Sequence, residues 1–262
     1  MTSLPLWPLS WRKLFAMQPS IAARIKRIEE RIEEACLRSG RKRSEISLMA
    51  VTKFQSTEAI IAAWNEGIRL YGESRVQEGL TKYQDFWETH SREGEASLHL
   101  IGSLQRNKAK AAAAFFDCIE SVDRDSIVDT LGALTEGREK PLEVLLEYHT
   151  AEDSKAGFMD RDSLFRAAEK IMSFPGLKPM GLMTMAPFTQ DEGEIRSSFR
   201  ELYEVREELI RRFPLNKIPG GKDTPAGWSC LSMGMTGDFE IAIEEGSTLI
   251  RIGTAIFGER SL

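Results

Sequence analysis

The chain has 262 residues, of which 42% are hydrophobic, and it carries a formal net charge of -5 at pH 7. This length can bury a sizeable core, as one large α/β domain or as two small ones. The acidic balance argues against a nucleic-acid-binding protein, whose basic face would show in the totals. Three widely spaced cysteines without a CxxC pair indicate a reducing, cytoplasmic setting without a structural metal.

The first 16 residues, MTSLPLWPLSWRKLFA, are rich in apolar side chains but are interrupted by two prolines. Arg12 and Lys13 follow the apolar part, whereas a secretory signal carries its basic residues first. We interpret residues 1–16 as a disordered N-terminal extension, with a weak peripheral contact as the alternative, and residues 17–262 as a single domain. No apolar run approaches the roughly 18 residues of a membrane-spanning helix, so we expect no membrane partner.

A helix is predicted after this extension, because isoleucines from Ile21 to Ile32 recur at helical spacing between a Ser20 cap and Gly40. Strand-like runs then alternate with helical ones. The eight candidate strands are Ile46 to Lys53, Leu70 to Ser74, Leu98 to Ser103, Cys118 to Asp123, Leu142 to His149, Pro179 to Met185, Ser229 to Gly234 and Thr248 to Gly253.

Strands that alternate with helices pair in parallel through right-handed crossovers. Eight such units fit a closed (β/α)8 barrel, a TIM-type barrel with an extra N-terminal helix, better than an open sheet. An open doubly wound sheet is the alternative, because periodicity does not show closure. The proline- and glycine-rich residues 214–228 interrupt the alternation and predict a surface loop.

Lys53 ends the first candidate strand, in the stretch SLMAVTKFQ. In a (β/α)8 barrel the chemistry lies at the C-terminal ends of the strands, so the amine would point into the barrel mouth. Partial desolvation there favours the neutral form of an amine, which attacks aldehydes to form Schiff bases. The alternative is a lysine whose ammonium reaches water beside a strand end.

Two glycine-bearing turns follow the last two candidate strands. SMGMTGDFEIAIEEG contains Gly234 and Gly237, and RIGTAIFG contains Gly253. Turns of this kind leave backbone N–H groups free for an anion, and the loops after strands seven and eight are where barrel enzymes often hold phosphate. Each turn alone is weak evidence, but the two together with Lys53 favour a phosphate-bearing ligand.

Arg251 shares one face of the eighth candidate strand with Leu249 and Gly253. If that face lines the barrel, the guanidinium is buried and needs a partner. The partner is either a glutamate in a structural ion pair or a ring nitrogen of a bound cofactor.

Three other polar segments are not assigned to the site. We expect His99 to pack or to cap rather than to act as an acid, and residues 105–108 to begin a helix with a solvated face. Lys155, in SKAGF, follows the fifth candidate strand in a loop, where it could meet an anion.

Six segments, in chain order, carry a resemblance to a known family. They are AVTKFQ, YGESRVQE, LHLIGSLQRNK, GLMTMAP, LSMGMTGDFEIAIEEG and RIGTAIFGER. Together they resemble the pyridoxal 5'-phosphate homeostasis protein family, which has the barrel fold of the alanine racemase N-terminal domain. The resemblance extends from about residue 20 to residue 260.

The resemblance implies that pyridoxal 5'-phosphate (PLP) is the cofactor. It implies that Lys53 carries the cofactor as an internal aldimine and that Arg251 faces the pyridine nitrogen. The residues implied to hold the phosphate are Ser232, Gly234, Gly253 and Thr254.

The chain departs from the family pattern at three places. Ser74, in YGES, stands where the family usually has asparagine, so its contacts at the edge of the cofactor are expected to differ. Phe54, Gln55 and Ser56 stand where a Thr-Lys-Pro run usually follows the lysine. The loop at 214–228 is longer than usual.

An arginine at the pyridine nitrogen disfavours ring protonation and weakens the cofactor as an electron sink. The similar racemases take a second base from a second domain and a partner subunit. This chain ends at Leu262, soon after the last candidate strand, and we expect no such domain. A site with one base and a weak sink suits holding and releasing PLP better than racemising an amino acid.

We therefore predict a cytoplasmic, monomeric protein that is not an enzyme. It would hold PLP, act in vitamin B6 and amino-acid homeostasis, and deliver the cofactor to PLP-dependent apoenzymes. The alternative is a PLP-dependent amino-acid racemase that uses the same aldimine. A racemase would interconvert alanine enantiomers and lose this activity in Lys53→Ala.

Overall fold

The computed structural model describes residues 19–90, 96–150, 156–214 and 227–258. The predicted N-terminal extension at 1–16, Lys155 and most of the predicted loop at 214–228 lie outside the described residues. Within the described part, no helix is both long enough and apolar enough to cross a membrane.

Eight parallel strands form a closed barrel, so the predicted (β/α)8 architecture is confirmed. The strands are β1 Ser47–Val51, β2 Leu70–Glu73, β3 Ser97–Leu100, β4 Cys118–Val122, β5 Leu142–Glu147, β6 Leu177–Met183, β7 Cys230–Ser232 and β8 Leu249–Ile252. Each strand pairs with the next, and β1 also pairs with β8, which closes the ring.

All eight strands end one to three residues earlier than predicted, because residues such as Lys53, Ser74 and Gly253 lie in the turns that follow the ladders at the barrel mouth. Two begin earlier: β3 starts at Ser97 against a predicted Leu98, and β6 starts at Leu177, whereas the sequence placed its start at Pro179. The proline lies inside the strand at a register shift between β5 and β6. A bulge of this kind accommodates a residue that has no N–H to donate.

Helices cover the outside of the barrel and alternate with the strands. They are α1 Ile21–Ser39, α2 Thr57–Asn65, α3 Val76–Thr89, α4 Ala109–Phe115, α5 Asp125–Leu134, α6 Arg161–Met172, α7 Glu192–Arg212, α8 Phe239–Glu244 and α9 Thr254–Phe257. Short 3-10 helices span Arg43–Glu45 and Arg106–Lys108. The second of these is where the sequence predicted a helix start, and it leads into α4.

The extra helix α1 begins and ends as predicted. The Ser20 hydroxyl accepts the Ala23 N–H at 3.2 Å, and Gly40 closes the helix with a φ of 68°. Its buried isoleucines face the outer helical layer, where α1 packs mainly against α8. Arg31 joins the two helices by an ion pair to Glu240 at 2.7 Å. The helix therefore extends the outer helical layer of the barrel.

The two faces of each strand have different environments. Outward side chains such as Ala50 and Ile250 belong to the large apolar core between strands and helices. Inside the barrel, Cys118, Leu145 and Met183 form a separate small apolar cluster. Two residues further along β4 and β5, the inward positions become carboxylates. The barrel interior is therefore apolar at mid-height and polar toward the C-terminal mouth, where the candidate site lies.

Candidate functional site at the barrel mouth

The seven residues predicted from sequence all lie at the C-terminal ends of four neighbouring strands. Ser74 follows β2, and Lys53 comes two residues after the end of β1. The remaining predicted residues lie on the other side of β1, at the ends of β7 and β8. They are Ser232, Gly234, Arg251, Gly253 and Thr254. Because β1 pairs with both β2 and β8, Lys53 stands between the Ser74 end and the Gly253 end of this arc.

Lys53 is exposed, and its amine has no hydrogen-bonding or ionic partner among the described residues. Met49, Val51 and Lys53 share the inward face of β1 by strand alternation. Met49 is in register with Arg251 on β8, so these two side chains face the same interior, and continuation of the β1 alternation past Val51 places Lys53 on that side. An accessible amine on this face is available to a small aldehyde that enters the mouth.

Arg251 is buried in the barrel interior, with 4% of its surface exposed. Its Nη1 donates to the Ser232 carbonyl at 2.6 Å and to the Ser232 hydroxyl at 2.7 Å, and Nη2 donates to the Thr184 carbonyl at 2.8 Å. No described carboxylate lies within ion-pairing distance of it, so the ion-pair alternative in its direct form is wrong. Burial lowers the pKa of Arg251, against the opposing effect of nearby carboxylates.

A buried chain of hydrogen bonds connects Arg251 to Glu120, a carboxylate that was not predicted from the sequence. The Ser232 hydroxyl donates to Glu120 Oε2, and Glu120 Oε1 lies 2.6 Å from His99 Nδ1. Burial raises the pKa of Glu120, but His99, Arg251 and Ser232 outweigh it and hold the pKa below its usual value. His99 thus belongs to a polar network, where the sequence predicted packing or capping. Glu120 is ionised and balances the Arg251 charge through Ser232.

Glu147, at the end of β5, is a second missed carboxylate. It is 4% exposed and has no hydrogen-bonding partner for its carboxylate among the described residues. Burial and the nearby Asp123 raise its pKa to about 7, and Arg251 opposes them only in part. Period-two alternation along β5 would have placed it inward with Leu145. The mouth therefore holds a carboxyl group that changes its charge near neutral pH.

Replacing Glu147 with glutamine is expected to stabilise the cofactor-free protein at pH 8 and to change its stability little at pH 5. Because the folded pKa is about 7 against an ordinary 4.5, the folded state holds a proton that the unfolded chain has lost. Stability then falls as the pH rises through this window, by roughly 3 kcal/mol at most. Urea unfolding of both proteins at the two pH values measures this, and an equal effect at both would contradict it.

The two glycine turns lie side by side at the mouth. Gly234 has a φ of 97°, and a Cβ there would lie 2.6 Å from the Cβ of Ala242, so only glycine fits. Its carbonyl accepts the Arg251 N–H at 2.9 Å. Thr236, which the sequence analysis did not single out, accepts the Ala255 N–H on its hydroxyl at 3.4 Å. The turn after β7 is thereby joined to the Gly253–Thr254 turn after β8.

Ser74 is half-buried at the mouth, on the far side of Lys53. Its backbone is approached closely by the turn after β3, since a Cβ on Gly102 would lie 2.1 Å from the Ser74 carbonyl oxygen. Only glycine at position 102 allows the two backbones to approach this closely. By contrast, the Ser232 hydroxyl faces Arg251 and Glu120, while the Thr254 side chain is exposed at the mouth.

Similarity to known proteins agrees with this geometry. Residues 24–261 match the family model described as "Alanine racemase, N-terminal domain". A pyridoxal phosphate homeostasis protein of Vibrio cholerae is 38% identical over 241 residues, which are 92% of this chain and 97% of that relative. A protein of the same name from Aquifex aeolicus is 35% identical over 237 residues, 90% of this chain and 97% of that relative.

Solved structures show the same relationship. PipY of Synechococcus elongatus PCC7942 with PLP bound has a TM-score of 0.71 at 31% identity, covering 88% of this chain and 100% of PipY. A histidine racemase from Leuconostoc mesenteroides has a TM-score of 0.64 at 16% identity, and the match covers 92% of this chain and 57% of the racemase, which shows the fold alone. The chain belongs to the pyridoxal phosphate homeostasis protein family, which shares its barrel with the alanine racemase N-terminal domain.

Proposed function

We propose that this protein binds PLP in the mouth of the barrel and takes part in PLP homeostasis. The observation that carries the proposal is the pairing of an unpartnered amine, Lys53, with a buried guanidinium, Arg251, on adjacent strands that face one interior. Relatives that cover almost the whole chain are named for PLP homeostasis, and the PipY structure contains PLP.

The residues present fit this cofactor. PLP supplies an aldehyde beside an electron-withdrawing ring, and the free amine of Lys53 is the group that can attack such an aldehyde. Lys53 would hold the cofactor through this amine, and the aldehyde would supply the electrophile. Ser74 lies beside Lys53 at the edge of the mouth, where it would border the bound ring.

Phosphate binding is assigned in this proposal to the two joined turns. Gly234 and Gly253 keep the backbone free of side chains there, and Thr254 offers an exposed hydroxyl. Thr236 adds a second hydroxyl at the junction of the turns. The Ser232 hydroxyl is instead hydrogen-bonded to Arg251 and Glu120, so in this proposal it holds Arg251 in place.

The environment of Arg251 supports a role as a carrier. Both of its terminal nitrogens already donate to protein oxygens, and Glu120 balances its charge through Ser232. A charged guanidinium near the ring nitrogen disfavours protonation of that nitrogen and so weakens the electron sink that racemisation needs. We propose a monomer that holds PLP reversibly on Lys53 and releases it to PLP-dependent apoenzymes, which links it to amino-acid balance.

The test is to incubate the protein with PLP, remove free cofactor by gel filtration and record the absorption spectrum. A violet band equivalent to about one cofactor per chain is expected, together with reactivation of an added apo-aminotransferase. Incubation with L-alanine should give no D-alanine. A colourless protein would contradict the binding proposal, and sustained turnover of alanine enantiomers would favour the racemase alternative instead.

A further inference from the structure

The backbone around Lys53 is held from outside the barrel by three charged side chains on β2 and α3. They are Glu73, Glu78 and Lys82, which we call the Lys53 clamp. None of them enters the mouth. They instead contact the residues immediately before and after Lys53, and a different side chain contacts the backbone on each side.

On the side before Lys53, the clamp acts through Lys82. Its ammonium donates to the Thr52 carbonyl at 2.5 Å and contacts Glu73 Oε1 at 2.7 Å and Glu78 Oε1 at 2.8 Å. Three acceptors match the three N–H groups of an ammonium. The Lys82 side chain is only 12% exposed and that of Glu73 is fully buried. Lys82 is therefore saturated and is unavailable as a second nucleophile.

The Thr52 side chain is fixed as well. Its hydroxyl donates to Glu73 Oε1 at 2.7 Å and lies 2.8 Å from the Tyr83 hydroxyl. The Thr52 N–H donates to the Gly72 carbonyl at 2.9 Å, which continues the β1–β2 pairing one residue beyond the strand. Both the backbone and the side chain of the residue that precedes Lys53 are thus immobilised.

On the side after Lys53, the clamp acts through Glu78, which accepts the Phe54 N–H. Phe54 has a φ of 63°, a conformation that is unfavourable for a residue with a Cβ and that persists only when neighbours enforce it. Burial raises the pKa of Glu78, but its bonds from Lys82 and Phe54 prevail and lower it. The ionised carboxylate therefore joins the Phe54 amide to the same ammonium that holds Thr52.

We propose that Lys82 and Glu78 are positioning residues for Lys53, which fix the peptide on each side of it so that its amine projects into the barrel mouth. The purpose of this positioning, which is reaction of the amine with PLP, rests on the proposed function; the contacts to the backbone do not. When the backbone is fixed, the position of the amine depends only on the rotations of its own side chain. Fewer conformations are then sampled, and reactions between well-oriented groups are faster. The clamp contacts neither the amine nor the interior face, so its effect is exerted through the backbone.

Two readouts test the proposal. The first is amide hydrogen exchange at Phe54 and Gln55 in cofactor-free protein, which reports the clamp without any ligand. The second is the rate at which the violet band appears after PLP is added. Glu78→Ala removes the acceptor for Phe54, whereas Glu78→Gln keeps an oxygen that can accept. Lys170→Met is the matched control, because Lys170 pairs with Asp129 at 2.7 Å on the outer surface, away from the mouth.

Glu78→Ala is expected to speed exchange at Phe54 by about tenfold or more and to slow formation of the band by about tenfold, since small misplacement of a reacting group has effects of this size. Glu78→Gln should retain most of the wild-type rate, and Lys170→Met all of it. Lys82→Met is made together with Glu73→Gln, so that the buried Glu73 carboxylate does not lose its counter-ion. It should slow formation of the band as Glu78→Ala does, whereas exchange at Phe54 should rise less, because Glu78 still accepts the Phe54 N–H.

Wild-type exchange and wild-type rates in Glu78→Ala would overturn the inference. So would faster exchange without a slower rate of band formation, because that would show a structural role alone. If the wild-type protein forms no band with PLP, the proposed function fails, and with it the stated purpose of the clamp. The exchange result would still show separately whether Glu78 and Lys82 hold the backbone around Lys53.

Discussion

Lys53→Ala is expected to lose the violet absorbance band completely while it unfolds at the same urea concentration as the wild type. The band requires the amine, whereas the side chain is exposed and has no polar partner in the described part of the chain. Surface replacements of this kind usually change stability by less than about 0.5 kcal/mol. Affinity for PLP should fall by about 100-fold, because attachment to an oriented amine is lost.

The matched control is Lys108→Ala, which removes another exposed lysine, on the 3-10 helix after β3. It should keep the band and the affinity. A reducible band that persists in Lys53→Ala would move the attachment to another lysine. A large loss of stability in Lys53→Ala would instead show that the residue has a structural role that the present contacts do not reveal.

Arg251→Met is expected to destabilise the protein by about 3–5 kcal/mol, the cost of removing one side of a buried charge arrangement. The guanidinium loses three hydrogen bonds to Ser232 and Thr184, and the buried carboxylates of Glu120 and Glu147 lose their nearby positive charge. The pKa of Glu147 should rise further, so the destabilisation should be greater at pH 8 than at pH 6. Urea unfolding at both pH values measures it.

A double variant separates the charge from the packing. If the uncompensated carboxylate causes much of the loss, Arg251→Met combined with Glu147→Gln should recover part of it at pH 8 and little at pH 6. Additive effects of the two replacements at pH 8 would contradict electrostatic coupling between them. A loss below about 1 kcal/mol in Arg251→Met would show that water replaces the guanidinium at low cost.

The fold was predictable because its signals are local. Alternation of apolar runs with helical periodicity, the Ser20 cap and the Gly40 end each depend on residues close together in the sequence. Strand ends were less accurate, since Thr52 and Lys53 continue the pattern of β1 but lie beyond its ladder. The start of β6 was missed because a proline was read as a boundary, whereas a bulge shared with β5 accommodates it.

Sequence alone singles out candidate residues where a charged side chain stands in an apolar strand, as Lys53 and Arg251 do. Glu120 has the same signal in CIESV on β4, and its inward position follows from alternation with Cys118. Its partner Ser232 lies 112 residues away, so only the closed barrel reveals the hydrogen bond between them.

The Lys53 clamp could not have been predicted from this sequence alone. In the sequence, Glu73 has the pattern of an ordinary strand end, and Glu78 and Lys82 have the pattern of a solvated helix face. Lys82 and Glu78 have the i, i+4 spacing of a surface pair, but the Lys82 side chain is only 12% exposed. Their contacts with Thr52 and Phe54 depend on how α3 packs on the barrel, which is a tertiary property.

We propose that a single lysine at the barrel mouth, Lys53, carries PLP. The most direct measurement is borohydride reduction of the PLP-treated wild-type protein, followed by proteolysis and mass spectrometry to locate the pyridoxyl group. One pyridoxyl group per chain is expected, on the Lys53 side chain. Label spread over surface lysines, or found on Lys82 in place of Lys53, would contradict it.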